Sequence, residues 1–151
     1  MSQPSGAFSS DLRMARAILQ ERGLAFVVVR DGTILGQGTG PGIRELLDFA
    51  DQPGQDARGA ALADRIIGRA AAMIARSMGI AAVHAVLMSE GGRQVLAEGG
   101  IGATSDRIVP AVRNRAGDGP CPMEARVAAI ADPGEAMAAL RAMIARGRPP
   151  A

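Results

Sequence analysis

A chain with only three aromatic residues has few ways to fill a core. Phe8, Phe26 and Phe49 are the whole aromatic complement, although 48% of the residues are hydrophobic. Alanine dominates that fraction. The core must therefore close on Ala, Val, Ile, Leu and Met, with elements approaching one another closely, because protein interiors pack to near-crystalline density. At 151 residues the chain has the size of one domain, able to bury roughly two-thirds of its unfolded surface.

The charge balance excludes some function classes. Seventeen basic against fifteen acidic residues leave a net charge of +2. Arginine carries the positive side and is scattered, without the stacking aromatics a nucleic-acid binder shows. The lone Cys121 forbids an internal disulfide, and with the lone His84 it excludes the common zinc sets built from His and Cys. No apolar run reaches the ~18–20 residues of a membrane span, and the N-terminus lacks the charged and apolar regions of a signal peptide. The expectation is a cytoplasmic protein with a disordered tail over residues 1–10, a single domain over 11–147 and a second tail over 148–151.

Hydrophobic periodicity predicts a helix over residues 11–22, capped by Ser9 or Ser10 and stopped by Gly23. Residues 24–30 and 33–37 flank Asp31-Gly32 and read as a hairpin. Its run Phe26-Val27-Val28-Val29 is apolar throughout, which places the hairpin centrally in its sheet. A short helix opened by Pro41 ends near Ala50, with Ile43, Leu46, Leu47 and Phe49 inward, and residues 51–58 form an exposed loop. Residues 59–78 read as the longest helix, apolar on most of its circumference, with Arg65, Arg69 and Arg76 as a polar stripe. Residues 80–88 read as a buried strand holding His84, more simply a satisfied core histidine than a ligand. Ser89 caps a helix over 90–98 that Gly99-Gly100 ends. Residues 101–105 form a short strand, and 106–113 read equally as strand or turn. Helices follow over 122–131 and from Pro133, the second capped by Asp132. A hairpin followed by alternating strands and helices predicts an α/β fold with a mixed sheet and helices on both faces.

Chemistry concentrates in residues 114–124. Cys121 stands at the N-cap of a helix with Pro122 at its first position and Glu124 at its third, a capping-box spacing with Cys replacing Ser or Thr. The positive end of a helix favours thiolate, as would Arg113 or Arg115 folded back over it, and Glu124 is a possible proton acceptor. The competing account is a small buried residue closing a tight Pro-Cys-Pro turn. Arg113, Asn114 and Arg115, ahead of Gly117, Gly119 and a helix start, are candidates to hold a phosphate or carboxylate; equally, the glycines serve only the turn. Asp64 and Arg65 are charges on an apolar segment, costly unless paired or at a pocket. They read as acid/base or ligand contacts, or as a first-turn Asp and a solvated Arg.

On the residues from Leu24 to Gly32, the segment from Gly59 to Ala72 with its core Ala63-Asp64-Arg65-Ile66-Ile67-Gly68-Arg69-Ala70-Ala71-Ala72, and the segment from Val109 to Glu124 with Asn114-Arg115 and Cys121-Pro122-Met123-Glu124, the chain resembles the DUF1893 domain family of bacteria and archaea over residues 11–145. Arg65 departs from the lysine expected there. That family is described as a variant of the cytidine-deaminase-like fold, so the resemblance implies a three-layer α/β/α sandwich with a mixed sheet of about five strands and a pocket where helices begin at strand ends. Zinc deaminases open one helix with His-x-Glu and another with Pro-Cys-x-x-Cys. Here Ala63-Asp64-Arg65 stands in the first neighbourhood, and the one cysteine motif comes after a later strand, so no metal is expected. The resemblance instead implies a small-molecule site, possibly nucleotide-like, on a zinc-less scaffold. Cys121, Asp64 and Glu124 are its catalytic candidates, and Arg65, Arg113, Asn114, Arg115 and Ser89 its ligand contacts. A non-catalytic ligand-sensing or assembly module, with homo-oligomers possible, is the alternative. No cofactor is specified.

Overall fold

The computed structural model describes residues 6–40, 42–113, 117, 119 and 121–147. Eleven elements follow one another: α1 (Gly6–Arg22), β1 (Phe26–Arg30), β2 (Thr33–Gly38), α2 (Arg44–Ala50), β3 (Ala61–Ile67), α3 (Arg69–Met78), β4 (Ala82–Ser89), α4 (Glu90–Glu98), β5 (Gly102–Val109), α5 (Pro122–Val127) and α6 (Pro133–Gly147). The five strands make one sheet in the order β2-β1-β3-β4-β5. β1 is antiparallel to both β2 and β3, whereas β3, β4 and β5 are mutually parallel. The expected α/β class, with a mixed five-stranded sheet, is what forms.

Two expectations are corrected. Residues 59–78 are not one helix: β3 and α3 meet at Gly68, whose backbone is extended (φ −104°, ψ −165°). The alanine-rich run satisfies helical spacing as well as it fits a fully buried strand. Pairing decides: β3 hydrogen-bonds to β1 on one side and β4 on the other, and a strand covered on both faces reads as continuous apolar sequence. The hairpin, in turn, forms an edge of the sheet rather than its centre. Val27, Val28 and Val29 are still fully buried, because β1 is the second strand, with α1 against one face and the α2–α3 layer against the other. Asp31 (φ 51°) and Gly32 (φ 75°) supply the paired left-handed conformations of a two-residue hairpin turn.

The crossovers β3-α3-β4 and β4-α4-β5 run in the same direction across the sheet. Right-handed connections then place both helices on one face. There α2, α3, α4, α5 and α6 share the larger core with Phe26, Leu62, Val83 and Met88. Among the described residues α1 alone covers the opposite face, through Ala15, Ile18 and Leu19 against Val27, Val29 and Ala63. The layers are therefore lopsided, and Ile66 (49%), Val86 (44%) and Ile108 (41%) remain solvent-exposed on the parallel half of the sheet. α1 begins at Gly6, so Ser9 and Ser10 lie inside it rather than capping it. α5 ends at Val127, four residues short of the expected stop. Among the described residues no helix is long and apolar enough to cross a membrane.

Candidate functional site

The parallel strands β3 and β4 deliver two helix starts side by side. α4 begins at Ser89, whose buried hydroxyl accepts from the Gly92 amide at 2.9 Å, the cap expected from sequence. α3 begins after Gly68, and a side chain from far along the chain caps it. The carboxylate of Glu124 accepts from the amides of Arg69 (2.6 Å) and Ala70 (2.7 Å). A carboxylate on two free amides at the positive end of a helix is a charge-assisted cap. Arg69 returns the contact, donating through Nε to the Val127 carbonyl (2.8 Å) and through Nη2 to that of Ile130 (2.6 Å), at the end of α5. The two helices are thus clamped end to end. A Cβ on Gly68 would lie 2.1 Å from Glu124 Oε1, so a larger residue there would displace the carboxylate from its cap.

Glu124 therefore does not complete a capping box with Cys121. Cys121 does occupy the N-cap of α5, with Pro122 following, but its thiol makes no capping hydrogen bond. It is free and half-buried, and its amide donates to the Val112 carbonyl at 3.2 Å. That bond fastens it to the rim of a cavity of about 600 Å³ whose floor is Ile66 and Leu87 and whose wall is residues 109–113 with Gly119. Among the described residues Arg113 is the one charged lining residue, and its Nη1 donates to the Gly117 carbonyl at 3.5 Å. Asn114 and Arg115 lie outside the described residues.

Asp64 and Arg65, expected at a helix start, are instead in β3, with Asp64 opposite Phe26 on β1 and Ala85 on β4. Burial pushes the Asp64 carboxyl up to about 7, against hydrogen bonds from the Ile66 and Arg65 amides that favour its charged form. No cation pairs with it among the described residues. Asp64 lines neither cavity found beside the sheet. Arg65 lies in the second, of about 500 Å³, between α1 and the sheet. Its Nε donates to the Leu24 carbonyl at 2.6 Å.

That second cavity holds a constellation that sequence reasoning missed. His84 is a satisfied core histidine, as expected: Nδ1 meets Thr104 Oγ1 at 2.7 Å and Nε2 meets Asp106 Oδ1 at 3.3 Å. Burial, then the nearby Arg16, lower its pKa against the pull of Asp106. Arg16 also approaches Asp106, at 3.9 Å. The signal was available: extending the strand from 105 to Val109 puts Thr104 and Asp106 on one face, two residues apart.

The two strand-to-helix junctions and the two cavities thus hold the sequence candidates in separate groups. Glu124 and Ser89 sit at adjacent helix starts, Arg113 and Cys121 at the first cavity, and Arg65 at the second. At the two helix starts the donors are Gly68-Arg69-Ala70 and Ser89-Glu90-Gly91-Gly92, which do not form a zinc set. No group of three or more His, Cys, Asp or Glu among the described residues is arranged to hold a metal ion.

Residues 14–144 match the domain of unknown function DUF1893. The chain is similar in structure to a DUF1893 family protein from Thermotoga maritima, with a TM-score of 0.81 and 22% identity over 97% of this chain and 96% of that one. Weaker likenesses, both with a TM-score of 0.47, are to two deaminases. One is a diaminohydroxyphosphoribosylaminopyrimidine deaminase/5-amino-6-(5-phosphoribosylamino)uracil reductase of the same organism, at 21% identity over 66% of this chain and 36% of that one. The other is a dCMP deaminase from the cyanophage S-TIM5, at 13% identity over 69% of this chain and 99% of that one. No curated protein matches the chain in sequence.

Proposed function

The chain belongs to the DUF1893 family, and we propose that it binds a small molecule at the carboxyl ends of β3, β4 and β5. The observation that carries this is the 600 Å³ cavity itself. It lies where open parallel sheets generally take ligands, beyond the carboxyl ends of the strands, and it has the size of a small-molecule site. Ile66 and Leu87 offer an apolar floor to a ring, and Arg113 offers a cation to an anionic substituent, a combination that suits a nucleotide-like ligand. Asn114 and Arg115, next to Arg113 in sequence, are proposed as further contacts. Cys121, tied to the rim through Val112, is the reacting group if the site is catalytic.

A non-catalytic ligand-sensing module is favoured by a specific observation. Both oxygens of Glu124 and the hydroxyl of Ser89 are engaged as helix caps, which leaves them positioning the fold rather than moving protons. Mass spectrometry of the purified protein separates the two accounts. A catalytic thiol predicts an adduct on Cys121 or alkylation by iodoacetamide faster than a model thiol at neutral pH. A sensing module predicts a non-covalent ligand lost on denaturation, with Cys121 no faster than the model thiol. Absence of any bound molecule, together with unchanged Ile66 and Leu87 methyl resonances when AMP is added, refutes binding at this cavity.

A further inference from the structure

The second cavity has a different character from the first. It lies on the α1 side of the sheet, about 500 Å³ in volume, with Leu19, Val86 and Leu87 as apolar lining and Arg16, Arg65 and Asp106 as its charges. Two guanidinium groups against one carboxylate leave a surplus positive charge, since His84 is held below its ordinary pKa and is neutral at neutral pH. The surplus resides on Arg65. Its Nε is anchored on the Leu24 carbonyl at 2.6 Å, and among the described residues no carboxylate pairs with its terminal nitrogens. Nη2 lies over Gly23, 3.6 Å from where a Cβ would stand. A long cationic side chain fixed at its neck, with its fork free beside an apolar floor, has already lost the rotamer freedom that binding an anion would otherwise cost. The exposure of Ile66 (49%) and Val86 (44%) at the same place leaves apolar surface for the body of such a ligand.

We propose that this cleft binds a small organic anion, a carboxylate or phosphate carried on an apolar body, with Arg65 as the primary partner of the negative group and Arg16 as the second. Asp106 opposes the ligand's charge and holds Arg16 and His84 in place, so it sets affinity from the other side. The site is separate from the Cys121 rim and does not depend on it.

The test is a titration of the full-length, isotopically labelled protein with phenyl phosphate, benzoate and inorganic phosphate at neutral pH and low salt, followed by NMR. Phenyl phosphate or benzoate should shift Leu19 and Val86, which line this cleft and not the first cavity, and bind more tightly than inorganic phosphate; whichever binds more tightly identifies the headgroup class. Arg65→Met should weaken binding by roughly tenfold or more and Arg16→Met by a few-fold, because each removes a charged donor. Asp106→Asn should tighten it a few-fold by removing a like charge, an effect that a purely structural role would not produce. The two α1-facing surface variants, Arg16→Met and Asp106→Asn, keep the test open if Arg65→Met fails to fold. Alkylation of Cys121 should change nothing. Binding no tighter than that of inorganic phosphate, or equal affinities in wild type, Arg16→Met and Asp106→Asn, overturns the proposal.

Discussion

Replacing Asp64 by asparagine isolates the cost of placing a carboxyl in β3 beside Phe26 and Ala85. Burial raises its pKa from 3.8 to about 7. The folded chain therefore holds this proton more tightly than the unfolded chain does, and stability must fall as pH rises. The contribution is complete below 3.8, declines between 3.8 and about 7, and is gone above that interval. At about 1.4 kcal/mol for each tenfold change in proton affinity, the interval is worth at most about 4 kcal/mol. The side chain keeps partial contact with solvent, so a figure nearer ~2 kcal/mol is expected. Asparagine preserves the shape and the oxygen that accepts from the Ile66 amide at 3.0 Å, and it cannot ionise. Urea unfolding at about pH 5 and about pH 8 should show the wild type losing roughly 1 kcal/mol more than Asp64→Asn across that span, the rest of the contribution being lost already below pH 5, with the variant the more stable protein at the higher pH. Parallel pH dependences in the two proteins, or a variant destabilised equally at both values, would refute the desolvation account of this residue.

Glu124→Ala removes the acceptor for the Arg69 and Ala70 amides and should cost about 2–3 kcal/mol in urea unfolding, with Glu124→Gln costing about half as much because one oxygen acceptor remains. Gly92→Ala should cost about 2 kcal/mol or more in the same assay, since the new Cβ would lie 2.9 Å from the Gly68 carbonyl and the Ile67 oxygen, backbone atoms that cannot turn aside. The His84 imidazole, lowered first by burial and then by Arg16, should titrate in NMR below its ordinary value of 6.5, and Arg16→Met should move the midpoint upward.

Local signals made some elements legible in the sequence and left others hidden. Asp31-Gly32 specified its hairpin because few residues adopt two successive positive φ angles, and Ser89 and Asp132 announced their helices because each cap bond closes within three residues. β3 had no such marker. Ala61, Leu62 and Ala63 fit a helix or a strand equally, only Ile66 and Ile67 are β-branched, and the choice between them is made by β1 and β4, remote in the chain. Misplacing β3 carried Asp64 and Arg65 to a helix start they do not occupy. Glu124 failed in the opposite direction. Its spacing from Cys121 matched a local cap, but the amides of α3, more than fifty residues earlier, captured it.

This capture bears on where the fold can bind anything. Helix starts at the ends of parallel strands are ready anion sites, because free amides and the helix dipole point outward together. In this chain the protein's own oxygens occupy both such starts: Glu124 fills that of α3 and Ser89 that of α4. The close approach of Gly92 to Gly68 seals the space between them. On the proposed reading ligands sit to either side of the strand ends, where both cavities lie, with Ile66 and Leu87 lining each. The cations lining the cavities follow the same division, Arg113 to one and Arg65 with the Asp106-paired Arg16 to the other. Glu124 and Ser89 stabilise the scaffold, and on the proposed reading recognition falls to arginines set around two shared apolar side chains.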